Sequence, residues 1–197
     1  MWNSQVIIML LEGIRDTLYM TLASTLFGYI IGLPMGIVLT VTDKDGIRPN
    51  AAVYKVLDVI SNLLRSIPFI ILLIVLIPFT RFVVGRSYGS TATIVPLTIA
   101  AAPYIARMVE SSLKEVDAGV IEAARSMGAS DFQIVTKVML VEARTSLIVG
   151  ATISLGTILG YSAMAGTVGG GGLGDIAIRY GYTRWQTDIM VVTVVLL

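Results

Sequence analysis

The longest charged stretch in this sequence runs from Arg107 to Arg144, and its middle reads Glu122-Ala123-Ala124, then Gly128-Ala129-Ser130-Asp131. A carboxylate beside two minimal side chains, followed by a glycine able to turn the chain sharply, suits either a structural hairpin with no partner or a helix that docks on one. Small residues let a helix sit deep in a partner's groove, Glu122 offers a charge, and Gly128 permits the turn. A second group, Tyr161, Ser162 and Met164 between Gly160 and Gly166, sets a hydroxyl beside a soft thioether and suits a small zwitterion with an apolar tail. Covalent chemistry is poorly supplied. With no cysteine and no histidine, the chain has no disulfide, no thiolate or imidazole metal ligand, and no Cys–His or Ser–His nucleophile pair. Gly169 to Gly174 formally satisfies G-x-G-x-x-G, yet an apolar helix rather than a strand precedes it, so no dinucleotide fingerprint is expected. No G-x-x-x-x-G-K-[ST] is present, so the chain cannot supply a Walker A phosphate cradle of its own. The glycine run reads as a close-packed external loop and a candidate docking surface, or else as a plain flexible turn.

The elements that carry these residues are set by composition. The 197 residues are 55% hydrophobic and 14% charged, with a mean hydropathy of +0.85. Soluble domains carry about 25% charged residues, so there is too little polar material here to face water all round. A net charge of +1 gives no pointer to nucleic acid. Uncharged runs lie at Thr17–Thr42, Ser66–Thr80, Ser87–Ala106, Thr145–Gly174 and Ile189–Leu197. A helix needs about 20 apolar residues to cross a core of roughly 30 Å, and the runs predict spans near 17–42, 66–84, 89–108, 145–166 and 187–197. The expected architecture is an all-α bundle of about five membrane helices. The segment Thr187–Leu197 reaches only about 16 Å as a helix, so the chain is expected to stop inside its last span. The opening MWNSQVIIMLLEG lacks a basic n-region and does not read as a cleaved signal peptide; Gln5–Leu11 is expected as an interfacial turn or short helix.

Texture within the spans adds detail. Gly28, Gly32 and Gly36, at spacing four, predict a face on which another helix packs closely. Pro34, Pro68, Pro78, Pro96 and Pro103 predict kinks, which suit a moving path better than a simple anchor. Ahead of the second span, Val53, Leu57, Ile60 and Leu64 share one helical face while Lys55, Asp58, Asn62 and Arg65 share the other. Arg65, Arg107 and Glu110 sit at span ends, where they are expected to anchor the interface or pair with each other. The loop around Lys44, Arg48 and Lys55, with the loop from Arg107 to Arg144, holds eight of the fourteen basic residues; the alternate side, with Arg15, Arg81, Arg86, Arg179 and Arg184, holds five. The positive-inside rule places the N-terminus outside.

The Arg107–Arg144 stretch contains no proline, and Val120, Ala123, Ala124 and Met127, then Phe132, Val135, Val138 and Met139, keep helical spacing. Two short helices are predicted, joined at Gly128, with Ser130 or Asp131 capping the second. Glu122-Ala123-Ala124, Gly128 and, ten residues on, Val138-Met139-Leu140 resemble the EAA loop of the permease subunits of binding-protein-dependent ABC importers. The pattern departs at Val141, where the family carries proline, and this puts the exit angle of the second helix in question. Further stretches are similar to permeases of methionine importers: Arg65 to Leu73, Ile77-Pro78-Phe79-Thr80-Arg81, Ala102 to Glu110, and Gly160 to Gly166.

The resemblance covers essentially the whole chain and implies a single type I membrane domain over 1–197, with a coupling loop at 109–144. It implies ATPase coupling through Glu122, Ala123, Ala124 and Gly128, and a transport path near Ser66, Pro68, Tyr161, Ser162 and Met164. It further implies a second copy of the chain, two ATPase subunits that bind ATP and Mg, and an extracytoplasmic methionine-binding protein. The lipid bilayer of the cytoplasmic membrane is the surrounding partner; no nucleic acid and no cofactor within this chain are expected. The alternatives are a permease for another amino acid or small polar solute, and a secondary transporter. The latter should carry ionisable residues at mid-membrane depth, and the uncharged runs carry none.

Overall fold

The computed structural model describes residues 4–197 of the chain; Met1, Trp2 and Asn3, the first residues of the N-terminal reading, lie outside the described residues. The described chain is helical, with no strand among the described residues. In order the helices are α1 (Ser4–Thr42), α2 (Ala51–Ser66), α3 (Phe69–Val75), α4 (Ile77–Val84), α5 (Ser90–Lys114), α6 (Ala118–Ser126), α7 (Asp131–Gln133), α8 (Leu140–Glu142), α9 (Arg144–Ala165), α10 (Gly172–Ile176) and α11 (Thr187–Leu196). Wider-wound π segments occupy Ile134–Met139 and Ala177–Tyr182.

Among the described residues, three helices, within α1, α5 and the stretch from Arg144 to Val168, are long and apolar enough to cross a membrane; α2 and α3 make a fourth if taken as one broken span, bent by 102°. α11 is apolar but shorter. The expected first span therefore starts earlier than predicted: Gln5–Leu11 is neither a turn nor a separate short helix but the first turns of the 39-residue α1. At 1.5 Å per residue such a helix is about 58 Å long, well beyond the apolar core. The expected continuous span 66–84 is instead two short helices. α3 ends on Leu76, and α4 restarts with Pro78 in its first turn, where a missing N–H costs nothing. α5 runs on to Lys114, so the loop between it and α9 begins six residues later than the predicted 109.

The chain forms two compact units, one of Ile67–Ala100, Leu155–Leu197 and the chain up to Phe27, the other of Gly28–Ser66 and Ala101–Ser154. In the second unit, the glycine stripe of α1 meets α5. A methyl group placed on Gly32 would stand 2.7 Å from the Ala102 carbonyl oxygen and 2.8 Å from Ile105 Cβ, and one on Gly36 would stand 2.7 Å from Val109 Cβ. The backbones touch, as the spacing predicted. α2 turns Val56, Val59 and Leu63 outward, each more than half exposed, while its polar Tyr54, Asp58 and Asn62 grip α5. That is inside-out for water and correct for lipid.

In the first unit, Leu10, Leu173, Ile176 and Ile189 form a buried cluster. The glycine run is closely packed, as one of its two readings had it. Gly170, Gly172 and Gly174 are buried, and a methyl on Gly172 would press on Thr17 Oγ1 at 2.7 Å and on Met20 at 2.8 Å. Thr17 Oγ1 in turn accepts the Leu173 N–H at 2.9 Å.

Candidate coupling site

The Glu122–Gly128 segment forms the hairpin that its residues predicted. Asp117 caps α6, its carboxylate accepting the Gly119 N–H at 2.7 Å. The far end closes as a Schellman turn: Ala129 N–H donates to Ala124 C=O at 3.1 Å and Gly128 N–H to Arg125 C=O at 3.0 Å. Gly128 takes φ +83°, a left-handed conformation that side chains resist, and nothing lies within 4 Å of the place its methyl would occupy. Ser130, of the two predicted candidates, is the next cap: its Oγ accepts from Gln133 N–H, while Gln133 Oε1 accepts the Ser130 N–H at 2.9 Å. The capping box starts α7, which runs through the π segment into α8 and breaks only at Ala143, just before α9. Val141, where the family carries proline, is half exposed and leaves this path nearly continuous.

The predicted docking residues divide. Glu122 and Ala123 are exposed, whereas Ala124 is 5% exposed and packs within its own chain. The outward face of α6 is instead Val120, Ala123 and Met127, with Phe132 beyond the turn; Met127 is 82% and Phe132 76% exposed. These two large apolar side chains flank Gly128, and only their helical spacing marked them in the sequence. Behind α6, a cavity of about 420 Å³ is lined by Ile121, Glu122 and Arg125, and by Asp43, Ile47 and Lys114. Arg125 ties the hairpin back by donating to the Ile47 carbonyl at 2.9 Å.

A charged network supports the hairpin's base. Glu110, 4% exposed, accepts from Arg107 at 2.6 Å, Lys114 at 2.8 Å and Tyr54 at 3.2 Å. Arg107 also pairs with Asp58 and bonds Asn62 at 3.2 Å, so Arg107 and Glu110 do pair, as one of the two expectations had it. Lys114 reaches Asp43 at 2.7 Å, and that hydrogen bond holds the Asp43 carboxyl below the usual carboxylate range.

The residues expected along a transport path are less unified. Ser66 Oγ donates to the Leu63 carbonyl at 2.8 Å, at the end of α2, and Pro68 precedes α3. Tyr161 stacks on Phe69 with ring centres 4.7 Å apart and planes 4° apart. Ser162 is 1% exposed and spends its hydroxyl on the Leu159 carbonyl at 2.7 Å, while Met164 is half exposed. Ser162 and Met164 thus lie in different surroundings, one buried and the other half exposed.

Residues 17–197 match the family described as the binding-protein-dependent transport system inner membrane component. The chain belongs to this family. Among curated relatives, a probable D-methionine transport system permease protein of Vibrio cholerae is 49% identical over 189 residues, covering 96% of this chain and 84% of the relative. The D-methionine transport system permease protein of Escherichia coli is 54% identical over 158 residues, covering 80% and 73%. A chain from the inward-facing MetNI methionine ABC transporter superimposes with a TM-score of 0.97 at 51% identity, covering 99% of this permease and 90% of that chain. The all-α membrane bundle expected from composition is therefore the fold of the family, and the EAA-like hairpin sits on a permease.

Proposed function

We propose that this chain is the permease half of an ATP-driven importer for methionine, working as a pair of identical permease subunits with two ATPase subunits. The observation that carries the reading is the near-complete match, in sequence and in fold, to a methionine transporter permease. The hairpin supports it: a capped, tethered turn with Met127 and Phe132 exposed at its tip is built to be held rigidly and covered by something else. The ATPase subunit is that cover. It binds ATP and Mg; this chain holds neither and performs no covalent step. Closure of the ATPase pair drags the two hairpins together and turns the path outward, where an extracytoplasmic binding protein delivers substrate.

The experiment is affinity purification of the tagged chain expressed with its ATPase and binding protein, followed by uptake in proteoliposomes. Stoichiometric ATPase and ATP-dependent uptake of labelled methionine, competed by unlabelled methionine and not by other amino acids, is the expected result. Uptake that ignores ATP would sink the reading, and competition by an unrelated solute would move it to another substrate.

A further inference from the structure

Among the described residues, Thr80 is one of three buried helical threonines, with Thr21 and Thr98, whose hydroxyl has no protein partner. At several other helical threonines the hydroxyl donates to the carbonyl four residues back: Thr25 to Thr21 at 2.7 Å, Thr40 to Gly36 at 3.0 Å, Thr93 to Gly89 at 3.1 Å, Thr193 to Ile189 at 2.9 Å. Thr80, in the middle of α4 and 3% exposed, makes no such bond, and its Oγ1 is buried without a protein partner. It lines a cavity of about 10 Å³ together with Ser87, Ala92, Thr93, Pro96 and Gly170. That volume is about the least that holds one water molecule.

The same cavity is lined by a residue whose carbonyl lacks its helical donor, and the origin is covalent. Pro96 has no N–H, so the Ala92 carbonyl, four residues earlier in α5, loses its helical donor. Ala92 and Pro96 both line the cavity. Gly170 is the third polar neighbour; its carbonyl accepts from Thr93 Oγ1 at 3.2 Å and has a second lone pair. A buried hydroxyl that must donate, a carbonyl that must accept and a space of one water's size define a site with a single chemically sensible occupant.

We propose that this cavity binds one ordered water, which accepts from Thr80 Oγ1 and donates to the Ala92 and Gly170 carbonyls. Three bonds are typical of an internal water. The water replaces the rung that Pro96 removes and joins α4, the proline break of α5 and the turn before Gly170. A proline break closed by water yields more readily than an amide rung, so the site is a hydrated joint in a membrane helix. It stands whichever solute the permease carries.

The test uses the purified assembly and three substitutions. Thr80→Val keeps the shape and deletes the hydroxyl; Thr80→Ser keeps the hydroxyl; Pro96→Ala restores the amide to Ala92. Thr80→Val should lower the thermal midpoint by about 2–4 °C, and Thr80→Ser should leave it near wild type. In the Pro96→Ala background the Thr80→Val shift should fall by at least half, because the two positions share one occupant. A high-resolution map of wild type should show a single oxygen in the cavity, lost in Thr80→Val. A Thr80→Val midpoint equal to or above wild type would mean a dry cavity, since removing an unsatisfied hydroxyl then stabilises. Strictly additive shifts, or an empty wild-type map, would equally overturn the site. If Thr80→Val fails to assemble, the wild-type and Thr80→Ser maps decide.

Discussion

Ala123 and Ala124 are adjacent and chemically identical, and they lie in opposite surroundings. Ala123 is exposed on the face it shares with Val120 and Met127, whereas Ala124 is 5% exposed and enclosed by its own chain. A large group at each position should therefore fail in a different way. Ala124→Trp overpacks the chain itself and should cost about 1–3 kcal/mol of stability, seen as reduced yield and a lower thermal midpoint. Ala123→Trp should leave yield and midpoint alone and weaken recovery of the ATPase. Met127→Asp and Phe132→Asp should do the same more severely, weakening association roughly 10- to 30-fold if they are the apolar anchors. Glu122→Ala should be the mildest, because an exposed charge contributes little to association. Titrating purified ATPase against each variant in nanodiscs checks the order; full-strength binding by both aspartate variants would place the contact elsewhere. Gly128 and Ser130 were legible in the sequence because a positive φ and a cap are local demands. The burial of Ala124 was not, because it depends on the π segment at Ile134–Met139 folding back against α6.

At the scale of elements, the same division recurs. The stripe Gly28, Gly32, Gly36 announced a close helix contact, but only the fold names α5 as the neighbour, with Ala101, Ala102, Ile105, Ala106 and Val109 filling the groove. Gly32→Leu should separate α1 from α5. A methyl alone at that position would stand 2.7 Å from a carbonyl oxygen, and neither backbone can give way as a side chain can. The expected cost is at least about 1–3 kcal/mol, read as loss of monodisperse protein after extraction and a lower midpoint in what remains. Gly156→Ala is the control, since no atom lies within 4 Å of its added methyl, and it should be neutral or slightly stabilising in the isolated chain. Equal damage by both would mean that helix contact is not what the stripe is for. The break at Leu76 escaped composition, because an uncharged run looks the same whether one helix or two cross it. Pro78 was visible, but a proline both kinks a helix from within and starts one at its first turn, and only the backbone at Leu76 chooses between them.

For the molecule as a whole, the prediction with the largest consequence concerns which side of the membrane holds the hairpin. The charge count of eight basic residues against five argues that the Lys44–Lys55 and Arg107–Arg144 segments share the cytoplasmic side. The fold adds an independent reason why these segments stay together: Lys114 bonds Asp43, and Arg125 bonds the Ile47 carbonyl, so whatever side one occupies the other occupies too. Because the chain has no cysteine, single cysteines report position without background. Ser4, Asn50 and Ser130 are exposed, and Tyr88, 70% exposed, is a better reporter than Ser87, which lines the cavity beside Thr80. A membrane-impermeant maleimide added to intact spheroplasts should label the variants Ser4→Cys and Tyr88→Cys, and should label Asn50→Cys and Ser130→Cys only after lysis. Labelling of Asn50→Cys and Ser130→Cys in intact cells would put the hairpin outside, away from any ATP, and the coupling role would fall with it. Labelling of one of these two without the other would contradict the Arg125–Ile47 tether, and with it the fold of this half of the chain.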